Sequence, residues 1–115
     1  MQFLLLIYGD EKVWEAQDQA DRAGVLAEYG AFTRAVEAAG ALRGGEELHS
    51  TAAATTVRVR EGKTLTTHGP FAETREQLGG FYLLECDSPE AAAAWAAQIP
   101  AARTGSVEVR PVVQF

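Results

Sequence analysis

The residues best suited to chemistry lie in one stretch, Thr67 to Glu85, which reads THGPFAETREQLGGFYLLE. A polar, glycine-punctuated loop leads there into an apolar strand, so reactive side chains adjoin a rigid element. The imidazole is the side chain that titrates near neutrality, and His68 beside Glu73 therefore predicts proton transfer at cellular pH. The competing interpretation is a turn histidine before Gly69 with its ring in water.

Other side chains would complete such a site. Tyr29 lies on the apolar face of a predicted helix, and it is either a core tyrosine with a locally satisfied hydroxyl or a phenol donating into a cleft. Catalytic roles are therefore predicted for His68, Glu73 and Tyr29. Ligand contacts are predicted for residues of strand ends, hairpin and loop, namely Tyr8, Arg58, Phe71 and Gln77.

The sequence contains no pattern for a metal or a cofactor. The two histidines, His49 and His68, form no HxH or HxxxH pair. No phosphate-binding loop, dinucleotide fingerprint or G-x-S-x-G is present, and Gly79-Gly80 precede a strand, which favours close packing over a phosphate cradle. We therefore expect no metal and no cofactor, which leaves cofactor-free chemistry or plain ligand binding.

Composition limits the class of protein. The 115 residues fit one domain over 1–115, and 47% hydrophobic with 23% charged residues is typical of a globular chain. The net charge of −6, with scattered cations, disfavours nucleic acid and suits a basic protein partner better. Cys86 is the only cysteine, so no disulfide forms within the chain, and it is predicted to pack as a small buried hydrophobe.

The first residues predict a buried strand. Met1 to Tyr8 are apolar but few, lack a basic start and run directly into charged sequence. This differs from a signal peptide or a membrane span. We expect a cytoplasmic protein that does not bind membranes.

Periodicity predicts the elements that position the candidate residues. An apolar stripe predicts a helix from about Asp21 to Ala39, with Gly40 where a C-terminal cap is expected; the stripe consists of Val25, Tyr29, Phe32 and Val36, with Leu26 widening it. Glu11 to Gln19 is either a loop or a short helical turn. The other predicted elements are strands over Gln2–Tyr8, Ala41–His49, Gly80–Cys86 and Ser106–Val113, a hairpin of Thr55–Arg60 and Lys63–Thr67, and a helix capped by Ser88 that stops at Pro100.

This order predicts the α+β class. Two strand-helix-strand units give a split antiparallel sheet with both helices on one face, the ferredoxin-like plan, and here a β-hairpin is added. Strands that are apolar on both sides need a cover on the second face as well. A second copy of the chain is the predicted cover, which makes a homodimer.

Several motifs resemble one known family. They are Tyr8-Gly9-Asp10, the hairpin TTVRVR, His68-Gly69-Pro70-Phe71-Ala72-Glu73-Thr74 continuing to Tyr82, Ile99-Pro100-Ala101, and Gly105 to Pro111. Together they resemble the YCII-related family, and more narrowly its DGPF-motif branch. The resemblance covers nearly the whole chain and implies a dimeric α/β barrel in which two sheets face one another.

The same resemblance implies no single activity. Some relatives are linked to extracytoplasmic-function sigma factors, and at least one is a dehydrochlorinase of a chlorinated hydroquinone. Relatives outside the DGPF branch pair a helical histidine with an aspartate. In this chain His68 stands where the motif has its aspartate, and Tyr29 stands where that histidine would fall.

Two functions follow from these residues. The first is a homodimer that binds a small polar or aromatic molecule between sheet, helix and the loop from His68 to Gln77, with acid/base chemistry such as elimination or isomerisation. The second is a non-enzymatic module for a regulatory protein partner, for example an accessory to a sigma factor.

Overall fold

The computed structural model describes residues 1–115, which form six strands and three helices. Short 3-10 turns cover Thr51–Ala53 and Pro100–Arg103. In chain order the elements are β1 (Gln2–Gly9), α1 (Glu11–Ala16), α2 (Gln19–Ala38), β2 (Leu42–Glu47), β3 (Thr55–Arg60), β4 (Lys63–His68), β5 (Gln77–Glu85), α3 (Pro89–Ala96) and β6 (Ser106–Pro111).

Four strands form the main sheet in the order β2-β5-β1-β6, and every neighbouring pair is antiparallel. Two strands that a helix connects are therefore not neighbours in the sheet, because one other strand lies between them. This is the split βαβ arrangement of the ferredoxin-like plan, and it confirms the predicted fold class. None of the helices is long and apolar enough to cross a lipid bilayer.

The remaining two strands form a separate two-stranded sheet. The β3–β4 hairpin turns at Glu61 (φ 51°) and Gly62 (φ 73°). Two consecutive positive φ values are typical of a type I′ turn, whose twist matches that of the flanking strands. The added hairpin is thus confirmed, and β4 extends one residue beyond the prediction, to His68.

Local signals explain where the helices begin and end. The side chains of Asp18 and Ser88 accept hydrogen bonds from backbone N–H groups in the first turns of α2 and α3. Gly40, at φ +71°, takes the left-handed conformation that follows a helix end. The sequence predicts either a loop or a short helical turn for Glu11 to Gln19. The structure has a short helix there, α1, and the Asp10 side chain caps its start. Leu26 was expected on the apolar stripe but is 52% exposed, since the helix turns it away from the sheet.

The hydrophobic core lies between the main sheet and the helices. Phe3, Leu5 and Leu84 project from the central strands and are fully buried, together with Val36 and Ile99. The Phe32 ring meets Tyr82 and Trp95 edge to face, with centroids 5.0 and 6.1 Å apart. Cys86 is part of this core, as predicted, and burial raises the pKa of its thiol.

The apolar side chains on the opposite face of the main sheet lie outside the buried core and are half-buried. We call this face the open face, and by strand alternation it carries Leu4, Leu6, Phe81 and Leu83 in cross-strand register. The chain measures only 18 Å along its shortest axis, which leaves no room for a third layer. Its radius of gyration is 16.1 Å, against about 13 Å for a compact chain of this length. The hairpin therefore extends sideways from the body.

Candidate functional site

Polar groups from distant parts of the chain meet at one end of the main sheet. There β1 ends, β5 and β6 begin, and Tyr8 pairs with Leu78 on one side and Ser106 on the other. We call this region the sheet end, and its polar members are Tyr8, Glu11, Thr51, Gln77 and Ser106. Three of these residues, Glu11, Thr51 and Gln77, are joined by hydrogen bonds.

Glu11 organises this network. Its carboxylate accepts hydrogen bonds from the Thr51 backbone N–H at 2.6 Å and from the Thr51 hydroxyl at 2.7 Å. Its own backbone N–H donates to the Gln77 side-chain oxygen at 3.0 Å. Hydrogen bonds to an ionised group are short and strong, so Glu11 fixes the segment before the hairpin against the end of the sheet.

Glycine allows the backbones to approach closely here. A β-carbon built on Gly105 would lie 2.2 Å from the Tyr8 carbonyl oxygen, and one on Gly80 would lie 2.8 Å from that of Glu46. The strand predicted to start at Gly80 begins at Gln77, so both glycines lie inside β5, and the close packing predicted for them is present at Gly80. Side chains at these positions would push β6 and β2 away from their neighbours and open the sheet end.

Tyr29 lies on the helix side of the sheet and packs against the core. Desolvation raises the pKa of its phenol above the ordinary value of 10.0, while a hydrogen bond with the Ala101 backbone opposes the shift. A phenol with a raised pKa stays protonated near neutrality. Tyr29 is consequently suited to donating a hydrogen bond and unsuited to acting as a base.

Tyr8 occupies the other face of the same sheet. It follows Leu4 and Leu6 at the two-residue period of a strand, whereas Phe3 and Leu5 are in the core. The sheet itself thus separates Tyr8 from Tyr29. Any ligand that touched both hydroxyls would have to pass around the sheet end.

The loop with the candidate histidine folds back on the hairpin. His68 ends β4 opposite Thr55, and Gly69 follows at φ +104°, a conformation that favours glycine. The Thr56 hydroxyl donates to the Gly69 carbonyl at 2.8 Å, and the Arg58 guanidinium donates to the Phe71 carbonyl at 3.2 Å. These bonds make hairpin and loop one unit.

The profile of the YCII-related domain matches residues 1–115. The chain belongs to the YCII-related family. It is similar to an uncharacterized protein of Rhizobium meliloti (strain 1021), with 39% identity over 117 residues that cover all of this chain and 94% of the relative.

The candidate residues of this YCII-related domain fall into three groups. Tyr8 and Gln77 lie at the sheet end, and Arg58 and Phe71 are joined in the hairpin unit together with His68 and Glu73. Tyr29 is alone on the helix side. No hydrogen bond joins the His68 imidazole to Glu73, Tyr29 or Tyr8, and the His68 and Glu73 side chains are exposed.

Sequence reasoning missed the central residue of the sheet end. Glu11 falls in the segment for which loop and helix stayed open, and its partner Thr51 is 40 positions away. The one available signal was Asp10-Glu11, an N-cap followed by an acid in the first turn, and this predicts a helix start rather than a site.

Other candidate locations contribute little to a site in the YCII-related domain. No group of three or more His, Cys, Asp or Glu side chains converges on one point where a metal ion could bind. Two open depressions of about 250 Å³ lie elsewhere, one beside Cys86 and Trp95 and the other beside Phe32 and Gln98. Neither is lined by a candidate residue.

Proposed function

We propose that this YCII-related protein is a homodimer that binds a small polar or aromatic molecule at the sheet end. The observation that carries the proposal is the apolar open face that ends at Tyr8, next to the fixed network of Glu11, Thr51 and Gln77. An apolar surface bordered by a few oriented polar groups is the usual composition of a small-molecule site. The second copy would supply the missing wall.

Surface area supports the dimer. The chain exposes 7,962 Å², whereas a compact monomer of 12.3 kDa is expected to expose about 6,100 Å². The excess of about 1,900 Å² per chain exceeds the roughly 800 Å² that each partner buries in a standard interface. An excess of this size fits an obligate homodimer, whose interfaces are large and apolar.

The sheet end suits an aromatic ligand with a polar substituent. The Phe81 and Leu6 side chains, paired in register on the open face, provide an apolar floor. Tyr8 offers a ring for stacking and a hydroxyl that both donates and accepts. The fixed carbonyl and amide groups around Gln77 would orient the polar substituent.

Within this proposal His68 is the acid/base group. Its imidazole is exposed at the start of a loop that Arg58 and Thr56 hold against the hairpin, so its position is defined although its ring is free. An imidazole can remove a proton from a carbon acid and return it elsewhere, which is the chemistry of elimination or isomerisation. Glu73 lies in the same loop and is the second acid/base group of the proposal, whereas Tyr29 lies on the helix side and would reach the same ligand only around the sheet end.

We infer further that the chain is of the DGPF type, with His68 at the place of the motif's aspartate. The positive φ of Gly69 gives a physical reason for the glycine of the motif. Phe71, which is 76% exposed, gives a reason for its phenylalanine if that ring contacts a ligand or a second chain.

The proposal is tested by thermal denaturation of the protein with a panel of hydroxylated aromatic carboxylic acids. We expect at least one of them to raise the melting temperature, and His68→Asn and Tyr8→Phe to reduce that shift. His49→Asn is the matched control, because His49 is exposed and lies outside the site. Absence of any shift, or equal shifts in all variants, would remove the site from consideration.

The alternative is a non-enzymatic module that binds a regulatory protein, such as a sigma factor. One observation favours it: the chain apart from the hairpin is strongly acidic, and Glu46 and Glu47 are exposed on the edge strand β2. Such a surface suits a basic partner. Stoichiometric co-purification of a protein, without any small-molecule effect on melting, is the result that would favour this alternative.

A further inference from the structure

The β3–β4 hairpin has two chemically different faces. Residues directly opposite each other in an antiparallel pair project to the same side, and Val57 pairs with Thr66 while Val59 pairs with Thr64. We call this side the valine face, and it comprises Thr55, Val57, Val59, Thr64, Thr66 and His68. The other side is the basic face, which comprises Thr56, Arg58, Arg60, Lys63, Leu65 and Thr67.

The chain itself covers the basic face in part, at Thr56 and Arg58, and leaves the valine face exposed. On the basic face, Arg58 is half-buried because the loop after His68 folds over it and accepts its hydrogen bond. On the valine face, Val57 and Val59 each remain 59% exposed. Two β-branched side chains are well suited to packing, and a two-stranded hairpin without a packed face is marginally stable in water. The valine face therefore lacks a partner.

Charge identifies a second copy of the chain as the partner. The hairpin carries Arg58, Arg60 and Lys63 against Glu61, a net charge of +2, so the remainder of the chain, whose total is −6, carries −8. The cations lie on the basic face and so do not point at the surface that the valine face would cover, but the opposite net charges favour the approach of one copy's arm to another copy's body. The open face, with Leu4, Leu6, Phe81 and Leu83, offers an apolar surface of the matching kind.

We propose that the hairpin is an exchanged arm, whose valine face packs on the partner and brings His68 to the partner's Tyr8. The inference rests on the proposed homodimer and sheet-end site and deepens both. His68 shares the valine face with Val57 and Val59, so a partner that covers the valines also receives the imidazole. Tyr8 continues the row of Leu4 and Leu6 on the open face, so an arm lying along that row reaches its hydroxyl.

The arm also explains why the candidate residues are separated within one chain. His68 and Tyr8 belong to different sheets, and no hydrogen bond connects them. Two copies related by a twofold axis would form two identical sites, each with the sheet end of one chain and the His68 loop of the other. Each site would be incomplete in a monomer.

Cross-linking between differently tagged chains tests this arrangement. Both chains carry Cys86→Ala, which removes the native thiol; one carries His68→Cys with a size tag and the other carries Tyr8→Cys without it. After the two are mixed and allowed to exchange, a short bis-maleimide should produce a covalent heterodimer on a denaturing gel. Val13→Cys in place of His68→Cys is the matched control, since Val13 is exposed on α1, and it should give no such product.

The possible results separate the arm from the proposed function. Light scattering that shows a dimer, without a cross-linked heterodimer, would overturn the arm and leave the dimer standing. A monomer at every concentration would overturn both. A chain carrying both substitutions that cross-links only within itself would place His68 beside its own Tyr8 and would also overturn the arm.

Substitution of the valines gives an independent readout. Thr has the shape and strand preference of Val but buries a hydroxyl, so Val57→Thr with Val59→Thr should weaken dimerisation by about tenfold or more. Val13→Thr is the control, because Val13 has a similar exposure of 56%. Equal dissociation constants for both variants would contradict the arm.

Discussion

The helix side of the main sheet and the β3–β4 hairpin are both built on antiparallel strands but meet different surroundings. Phe3, Leu5 and Leu84 on the helix side are fully buried, whereas Val57 and Val59 in the hairpin are mostly exposed. Strand formation by itself therefore does not indicate where the stabilising burial occurs. Within one chain the burial of apolar side chains is concentrated on the helix side, and the hairpin valines contribute little to it.

The connection between these two regions is polar and local. Glu11 holds Thr51 at the root of the hairpin, and the Gly69 N–H donates to the Ala54 carbonyl at 2.8 Å. Hydrogen bonds of this kind each contribute little net free energy, but they fix a direction. These hydrogen bonds therefore set the direction of the hairpin relative to the sheet end but contribute little to its stability.

The difference between the helix side and the hairpin should be largest when a leucine in each is replaced by alanine and the free energy of unfolding is measured. Leu84→Ala leaves a cavity in the core and should lower the free energy of unfolding by about 2–5 kcal/mol. Leu65 in the hairpin is 49% exposed. Leu65→Ala should therefore change the free energy of unfolding by less than about 1 kcal/mol. Urea unfolding of both variants checks the difference. Similar losses would mean that the hairpin is part of the core, and the division between the two regions would be wrong.

Gly105→Ala should have the next largest effect, because its β-carbon would collide with the backbone of Tyr8. Overpacking of this kind costs about 1–3 kcal/mol. Gly9→Ala is the matched control, since a β-carbon there meets no atom within 4 Å, and it should be neutral to within about 0.5 kcal/mol. Thermal denaturation gives both values, and a tolerated Gly105→Ala would show that β6 shifts easily at the sheet end.

The link between body and hairpin is tested by Glu11→Ala. Loss of the half-buried carboxylate leaves the Thr51 N–H and hydroxyl without their partner and should cost about 1 kcal/mol, less than for a fully buried charge. Amide hydrogen exchange of Thr51 should accelerate, while that of Leu84 should stay slow. Glu15→Ala on the same helix is the control, because the Glu15 side chain makes no hydrogen bond or ion pair, and it should leave Thr51 exchange unchanged.

Much of this architecture could be predicted from sequence because its signals are local. The cap at Ser88, the apolar run of β1 and the alternation of TTVRVR each fix a segment whatever the rest of the chain does. Leu26 shows the limit of such signals. An apolar stripe predicts the period of a helix, but the rotation of the helix about its axis, which decides whether Leu26 faces the sheet, depends on the packing of the whole core.

The candidate site was less predictable, since it depends on pairings across the chain. The bond between Glu11 and Thr51 joins a helix start to a 3-10 turn, and neither residue has a pattern that points to the other. Tyr8 and Tyr29 lie on opposite faces of the main sheet. The face of Tyr8 depends on the alternation of side chains along β1, and that of Tyr29 depends on how α2 is rotated about its axis. His68 has a definite place at the end of β4, but its imidazole makes no hydrogen bond to another candidate residue of the same chain.

The smallest expected effect appears only at alkaline pH and belongs to the helix side. Desolvation raises the folded-state pKa of Tyr29 above its ordinary value of 10.0, so the folded protein keeps a proton that the unfolded chain releases. This contribution to stability is fully present below pH 10 and is lost as the pH rises through the raised pKa. Tyr29→Phe should therefore flatten the decline of melting temperature above pH 10. Cys86, whose pKa is also raised, titrates in both proteins and therefore does not affect the comparison. Parallel slopes would mean that the phenol is hydrated, and the helix side would then be open at Tyr29 as well.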